Sequence, residues 1–289
     1  MISTYESYFV FGKRGRFGSR IAKSLKDKHL LVFEYASAEF DEGLRALILE
    51  LKDRKNLCVI WCFGAGSSIE VSIQNKEYQL LLYMFSKLTS ANLPPINSMF
   101  VFLSSGGKMY GINTGIVSES SENLPVSLYG QQKRDCEQLL LTMAPRIFHN
   151  LIIFRPANAY SIKSLNSQPK GFVERCLWAI EHDKTIKFIA DPNSQRQYGS
   201  HSDYANAMLS LIGQTAIRPS WRIINVAPNF TYDLYQIISS FEEYFKKKII
   251  IEPFEVNQLI QDSIILKSEV FRPDFVWNSI AKNLDLSRL

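Results

Sequence analysis

The chain is poor in the residues that hold metals or staple small domains. Its 289 residues include only four cysteines and four histidines. Cys58, Cys62, Cys136 and Cys176 form no Cys-x-x-Cys pair, and no histidine lies at zinc-ligand spacing from them. This pattern speaks against a zinc site and against a disulfide framework, so no metal is expected. Cys58 and Cys62 fall in an apolar run and read as core thiols, which suits a reducing compartment. The segment Met1–Ser7 lacks a basic stretch followed by an apolar one, so no secretion signal is expected. No apolar run approaches the ~20 residues that span a bilayer. The expectation is a cytoplasmic protein without a membrane partner. Charge of one sign is also scarce. The net charge is +5, and the basic residues are dispersed apart from Lys13-Arg14-Gly15-Arg16 and Lys246-Lys247-Lys248. Such a spread argues against nucleic acid and suits an anionic small ligand.

What is present is an alternation of short apolar runs with amphipathic segments. Tyr8–Phe11, His29–Phe33, Leu57–Cys62, Met99–Leu103 and Leu151–Phe154 read as strands. Several are apolar on both faces, as strands are when helices cover both sides of a parallel sheet. Between them, helices are expected over Phe17–Leu25, Asp41–Lys52, Glu77–Leu88 and Tyr129–Met143, where apolar residues recur at helical spacing. The alternation predicts an α/β fold with a doubly wound parallel sheet. Beyond Arg155 the rhythm loosens. Helices are expected near Gly171–His182, Ser202–Ile212 and Tyr232–Lys246, and a late strand at Arg222–Val226. Residues 1–165 are therefore assigned to the sheet domain. Residues 166–289 are assigned to a smaller C-terminal lobe, partly interleaved with the first.

Two local patterns carry chemistry. Gly12-Lys13-Arg14-Gly15-Arg16-Phe17-Gly18 joins the first strand to the first helix. Glycines let the backbone turn tightly and approach a phosphate, and the free N–H groups of a helix start attract an anion. The second pattern is Tyr129-Gly130-Gln131-Gln132-Lys133. A spacing of four puts Tyr129 and Lys133 on one helix face. A phenol is a poor base at neutral pH, but a neighbouring ammonium favours its phenolate. Ser104-Ser105-Gly106-Gly107-Lys108-Met109-Tyr110-Gly111 directly follows the strand at Met99–Leu103, and ligands meet open sheets at such strand ends.

Together these segments resemble the extended short-chain dehydrogenase/reductases, in particular the NAD-dependent epimerase/dehydratase family. The resemblance continues in order through Arg155-Pro156-Ala157-Asn158-Ala159-Tyr160, Asp191–Arg196, Ser202–Ala207 and Asn225-Val226-Ala227. It implies a Rossmann-type cofactor domain and a nucleotide-diphosphate sugar as substrate. Tyr129 would be the acid/base, and Lys133 would lower its pKa and hold the nicotinamide ribose. Ser105 is the candidate for the serine, at the substrate hydroxyl. Gly12, Arg14, Gly15, Arg16, Phe17 and Gly18 would line the dinucleotide. Asn158, Arg196 and Lys108 would meet the substrate, Arg196 at a diphosphate oxygen. The cofactor is NAD or NADP. Glu34 at the end of the second strand suits the ribose hydroxyls of NAD, whereas Lys13, Arg14 and Arg16 lean to the 2′-phosphate of NADP. Pairing into a homodimer through helices of the first domain is also implied.

The chain departs from the family pattern in places. Gly106 stands where many members carry the catalytic Ser or Thr, and Lys108 replaces a small hydroxyl residue. Gly106-Gly107 supplies no acid, which disfavours a 4,6-dehydratase. Arg196 is followed by Gln197 instead of Asp, and Ile189-Ala190-Asp191-Pro192 lacks glycine. Two functions stay open. One is a nucleotide-sugar 4-epimerase or 4-ketoreductase. The other is a non-catalytic dinucleotide-binding protein with a regulatory or scaffold role.

Overall fold

The computed structural model describes residues 5–53, 56–64, 71–93, 96–111, 114–162, 169, 171–188, 191–214, 220–252, 263–268 and 277–286. The boundary drawn at 165/166 and the loop residues Ile189 and Ala190 lie outside them. Six parallel strands form the central sheet: β1 (Ser7–Phe11), β2 (Leu31–Tyr35), β3 (Leu57–Trp61), β4 (Ile96–Leu103), β6 (Phe148–Pro156) and β9 (Ser220–Val226). Their spatial order is β2-β1-β3-β4-β6-β9. From β1 the chain runs through α1 (Arg16–Lys26) to β2 on one side. It then returns through α2 (Phe40–Lys52) to β3 on the other. The crevice beyond the carboxyl ends of β1 and β3 is thus a topological switch point, where open α/β sheets bind ligands.

Period-two alternation assigns the strand side chains to two faces. Phe9, Phe11, Val59, Trp61, Phe100, Phe102, Leu151 and Ile153 pack against α2, α3 (Val71–Ser90) and α5 (Leu128–Met143). Tyr8, Val10, Cys58, Ile60, Met99, Val101, Ile152 and Phe154 pack instead on α1 and α7 (His201–Gln214). Every residue of β1 and of β3 is buried, as expected where both faces are covered.

The expected interleaving takes a definite form. After β6 and β7 (Asn158–Tyr160), the chain forms α6 (Phe172–His182) and the short strand β8 (Tyr198–Ser200), which pairs with β7. It then returns through α7 to add β9 beside β6. The remaining C-terminal elements are α8 (Leu234–Phe245), β10 (Ser263–Leu266) and α9 (Ile280–Leu286). α8 and α9 build a separate apolar cluster with α6, centred on Tyr160, Leu177, Phe188, Ile237, Phe241 and Leu284. β10 pairs with β5 (Thr114–Val117), which follows the short helix α4 (Gly106–Met109).

Candidate active site

The glycine turn is built by contacts that exclude side chains. Gly12 has φ +107°, and a Cβ there would stand 2.7 Å from the carbonyl of Cys62. Gly18 is packed against the carbonyl of Gly12, which leaves no room for a methyl group. The Gly15 N–H closes the turn on that same carbonyl at 2.8 Å. α1 begins at Gly15 without a side-chain cap and with no acid in its first turn, while Lys23 and Lys26 occupy its last turn. An uncapped helix start in a glycine cradle fits a pyrophosphate.

The charged residues near the turn are arranged differently from the sequence expectation. Arg16 reaches away to Glu174 of α6 at 2.5 Å, and Lys13 pairs with Glu39 at 2.7 Å. Glu34 pairs with Lys26 at 3.0 Å, because its place in β2 turns it towards the last turn of α1. Arg14 is exposed. The acid that stands at the turn is Glu39, in the short 3-10 segment after β2. The Ala36 N–H and the Lys13 ammonium hold its carboxyl below the usual range. Nothing in its local sequence marked it; only the pairing across the turn does.

Phe17 packs edge-on against His201, with ring centroids 4.7 Å apart. His201 is buried with Nδ1 2.7 Å from the carbonyl oxygen of Tyr160, and burial pushes its pKa down to about 4. The folded value lies below the usual 6.5, so protonation favours unfolding. Stability is fully present above about pH 6.5 and falls between 6.5 and 4, by about 3 kcal/mol at ~1.4 kcal/mol per unit. Thermal melts of the wild type should therefore decline through this window, and those of His201→Gln should stay nearly flat.

Tyr129 and Lys133 lie one turn apart on α5, whose start is capped by Ser127 accepting from the Gly130 N–H at 3.1 Å. Tyr129 is partly buried and shares a hydrogen bond with Ser105 at the end of β4. Gly106 has no space for a hydroxyl, because a Cβ there would meet the Arg155 carbonyl at 2.9 Å and run into Leu266. Packing thus explains the glycine, and Ser105 is the hydroxyl that reaches Tyr129.

Lys133 is only 2% exposed. Its ammonium donates to Glu77 Oε1 of α3 at 2.8 Å and to the Leu103 carbonyl at 2.9 Å, and lies 5.8 Å from the centre of the Tyr129 ring. The phenol of Tyr129 is held above its ordinary value. Burial raises it, Lys133 and the Ser105 bond pull it down, and Glu77 pushes it back up. Lys133 pulls the phenol down, but burial, the larger effect, together with Glu77 leaves it above its ordinary value. Glu77 carried no signal in the sequence, since it lies 56 residues from Lys133.

A second buried network braces the strand ends. Arg155 is fully buried and donates to Glu137 through Nε at 3.0 Å and Nη2 at 2.6 Å. Its Nη1 donates to the Tyr110 hydroxyl at 2.9 Å, which donates to Asn225 at 2.8 Å. The Ser104 hydroxyl donates to Glu137 at 2.5 Å. Glu137 follows Lys133 by four residues, so Tyr129, Lys133 and Glu137 share one helix face, a periodicity visible in the sequence.

Ser105, Lys108, Asn158 and Arg196 line one cleft of about 100 Å³ with Ala157, Ile264 and Leu266. The Asn158 side chain donates to the Gln197 carbonyl at 3.1 Å, and Arg196 bridges through its backbone to Tyr232. Among the described residues, no group of three His, Cys, Asp or Glu side chains is placed to hold a metal.

With this geometry in place, sequence comparison is decisive: the profile of the family described as "NAD dependent epimerase/dehydratase family" matches residues 8–227. The chain belongs to that family. Among curated relatives, a dTDP-4-dehydro-6-deoxyglucose reductase of Escherichia coli is 27% identical over 160 residues, 54% of this chain and 50% of that protein. The match thus spans about half of the relative's length. The UDP-glucose 4-epimerase of Thermotoga maritima, solved with UDP-glucose, superposes with a TM-score of 0.73 at 19% identity, covering 97% of both chains. The UDP-glucose 4-epimerase of Thermus thermophilus, solved with NAD, gives 0.76 at 18% identity over 98% of this chain and 99% of that one. These likenesses establish the doubly wound fold. The family is one of enzymes that depend on NAD.

Proposed function

We propose that this family member interconverts a carbonyl and a hydroxyl at C4 of a nucleotide-diphosphate sugar, as a 4-ketoreductase or 4-epimerase. The observation that carries this is the position of Ser105. Its hydroxyl bonds Tyr129 and also lines the cleft with Lys108, Asn158 and Arg196. Tyr129 transfers the proton at the sugar oxygen, Ser105 orients that oxygen, and Arg196 and Lys108 meet the diphosphate charge. Gly12, Gly15 and Gly18 hold the dinucleotide's pyrophosphate against the start of α1, with Phe17 beside it. When bound, the dinucleotide supplies hydride exchange at the sugar carbon. A bond from Lys133 to the nicotinamide ribose would compete with the Glu77 and Leu103 partners it already has.

The lean to NADP loses its basis, because Lys13 and Arg16 are matched by Glu39 and Glu174. NAD(H) is the proposed cofactor, with Glu39 in place of Glu34 at the adenosine ribose. Mass spectrometry and absorbance of the purified protein test this, followed by calorimetric titration with each dinucleotide. NAD(H) bound in preference to NADP(H) is expected. Binding of neither would overturn the reading.

α3 and α5 lie side by side and leave Leu82, Tyr83 and Leu141 exposed. A second copy of the chain is proposed to cover this face. Light scattering is expected to give a dimer mass that Tyr83→Glu/Leu141→Glu reduces to a monomer. The four cysteines are free and buried, which supports the cytoplasm as the compartment. Among the described residues, no helix is long and apolar enough to cross a membrane. The non-catalytic alternative draws on the Glu77–Lys133 pair alone, and replacement of Tyr129 separates the two.

A further inference from the structure

The Glu77–Lys133 pair lies at the ends of β3 and β4, tied to the Trp61 indole and to the Leu103 carbonyl. Glu77 is 4% exposed, and Oε1 also accepts from Trp61 Nε1 at 3.3 Å. The Lys133 ammonium lies 4.8 Å from the centre of the Phe102 ring. A Cβ on Gly64, just past β3, would stand 3.4 Å from both the Glu77 carboxylate and the ammonium. Among the described residues, few charged and titratable groups face the pair. They are Tyr129 and Cys136 from α5 and Cys62 from the end of β3, with the Ser105 hydroxyl at Tyr129. Burial holds both thiols protonated. Glu77 is thus the only carboxylate among them, and Lys133 the only ammonium.

We propose that Glu77 is a positioning residue that keeps the Lys133 ammonium for itself and leaves Tyr129 a neutral phenol, so that the site gives a proton to a carbonyl instead of taking one from an alcohol. This rests on the function proposed above and selects the ketoreductase within it. Reduction of a sugar ketone needs a hydride at carbon, which the reduced dinucleotide supplies, and a proton at oxygen, which the Tyr129 hydroxyl supplies. The C=O double bond becomes a CH–OH group, and the phenolate left behind is reprotonated from water. A 4-epimerase must begin with the opposite step, and for that Tyr129 has to be ionised before the sugar arrives. An ammonium shared with a buried carboxylate at 2.8 Å exerts little net field on the phenol, while one freed of that carboxylate stabilises the phenolate.

The test needs neither cofactor nor substrate. Protein labelled with ring-ζ ¹³C tyrosine is titrated by NMR, and Tyr129→Phe assigns the signal. In Glu77→Gln the Tyr129 midpoint is expected to fall by about one pH unit or more, a tenfold gain in phenolate. Glu77→Asp, which keeps the charge, should leave the midpoint high, and adding Lys133→Met to Glu77→Gln should reverse the fall. If Glu77→Gln alone does not fold, the double variant Glu77→Gln/Lys133→Met reads the same balance; because the two charges oppose each other at the phenol, removing both should move the midpoint by less than about half a unit from wild type. An unchanged midpoint in folded Glu77→Gln would overturn the proposal, as would a large upward shift in the double variant. Dinucleotide binding is measured on the same samples. If binding persists while the midpoint does not move, the inference fails and the proposed function stands.

Discussion

Tyr129→Phe is expected to cut turnover by a factor of about 10²–10⁴, the range of a lost general acid, while dinucleotide affinity stays within a factor of about two. The change removes one oxygen. That oxygen bonds Ser105, which lines the cleft, whereas the groups proposed to hold the pyrophosphate are the backbone of Gly12–Gly18 and the start of α1. Loss of a step made only in the transition state lowers kcat and kcat/KM together, and steady-state kinetics read it directly. The pH profile adds a sign. A proton donor works below its pKa, and burial with Glu77 holds this phenol above the ordinary tyrosine value. Ketone reduction should therefore keep its rate across neutral pH and fall only on the alkaline side. Turnover equal to wild type in the variant would refute the mechanism and leave the non-catalytic reading.

The largest loss of stability is expected at Arg155. Arg155→Met should cost about 3–5 kcal/mol, because it leaves Glu137 buried without its cation. At roughly 2–4 °C per kcal/mol for a chain of this size, the melting temperature should drop by about 10 °C. Glu137 is 2% exposed and would lose two of its donors, keeping only the Ser104 hydroxyl. Tyr110 would lose a donor as well. The double variant Arg155→Met/Glu137→Leu should recover much of the loss, since replacing both members of a buried pair by apolar groups is far milder than breaking it. A double-mutant cycle by thermal denaturation measures the coupling, and additive effects would show that the pair does not act as a unit. The network also ties β4, α4, α5, β6 and β9 together next to Ser105. Activity in Arg155→Met should thus fall more than the folded fraction alone predicts.

The central sheet was legible because its code is local. Period-two and period-3.6 patterns are set by which faces meet the core, and they identified all six strands of the sheet and nearly every helix of the first half within a few residues. The glycine turn was legible for the same reason, because Gly12, Gly15 and Gly18 answer to backbone geometry within seven residues. Tyr129 and Lys133 could be paired on one helix face, and so could Glu137 have been. Charge was not legible in this way. Lys13, Arg14 and Arg16 read as a basic turn, but the carboxylates that meet Lys13 and Arg16 come from the segment after β2 and from α6. Ion pairs depend on distances of a few ångströms between side chains whose separation along the chain is arbitrary, up to 158 residues for Arg16 and Glu174. By itself, then, the amino-acid order determined the doubly wound architecture, the phosphate-fitting turn and the tyrosine–lysine helix face. Only the tertiary structure decided which charges remain available to a ligand and that Lys133 answers to Glu77. Backbone patterns are written in neighbouring residues, whereas electrostatic partners are chosen by the packing of helices against a shared sheet.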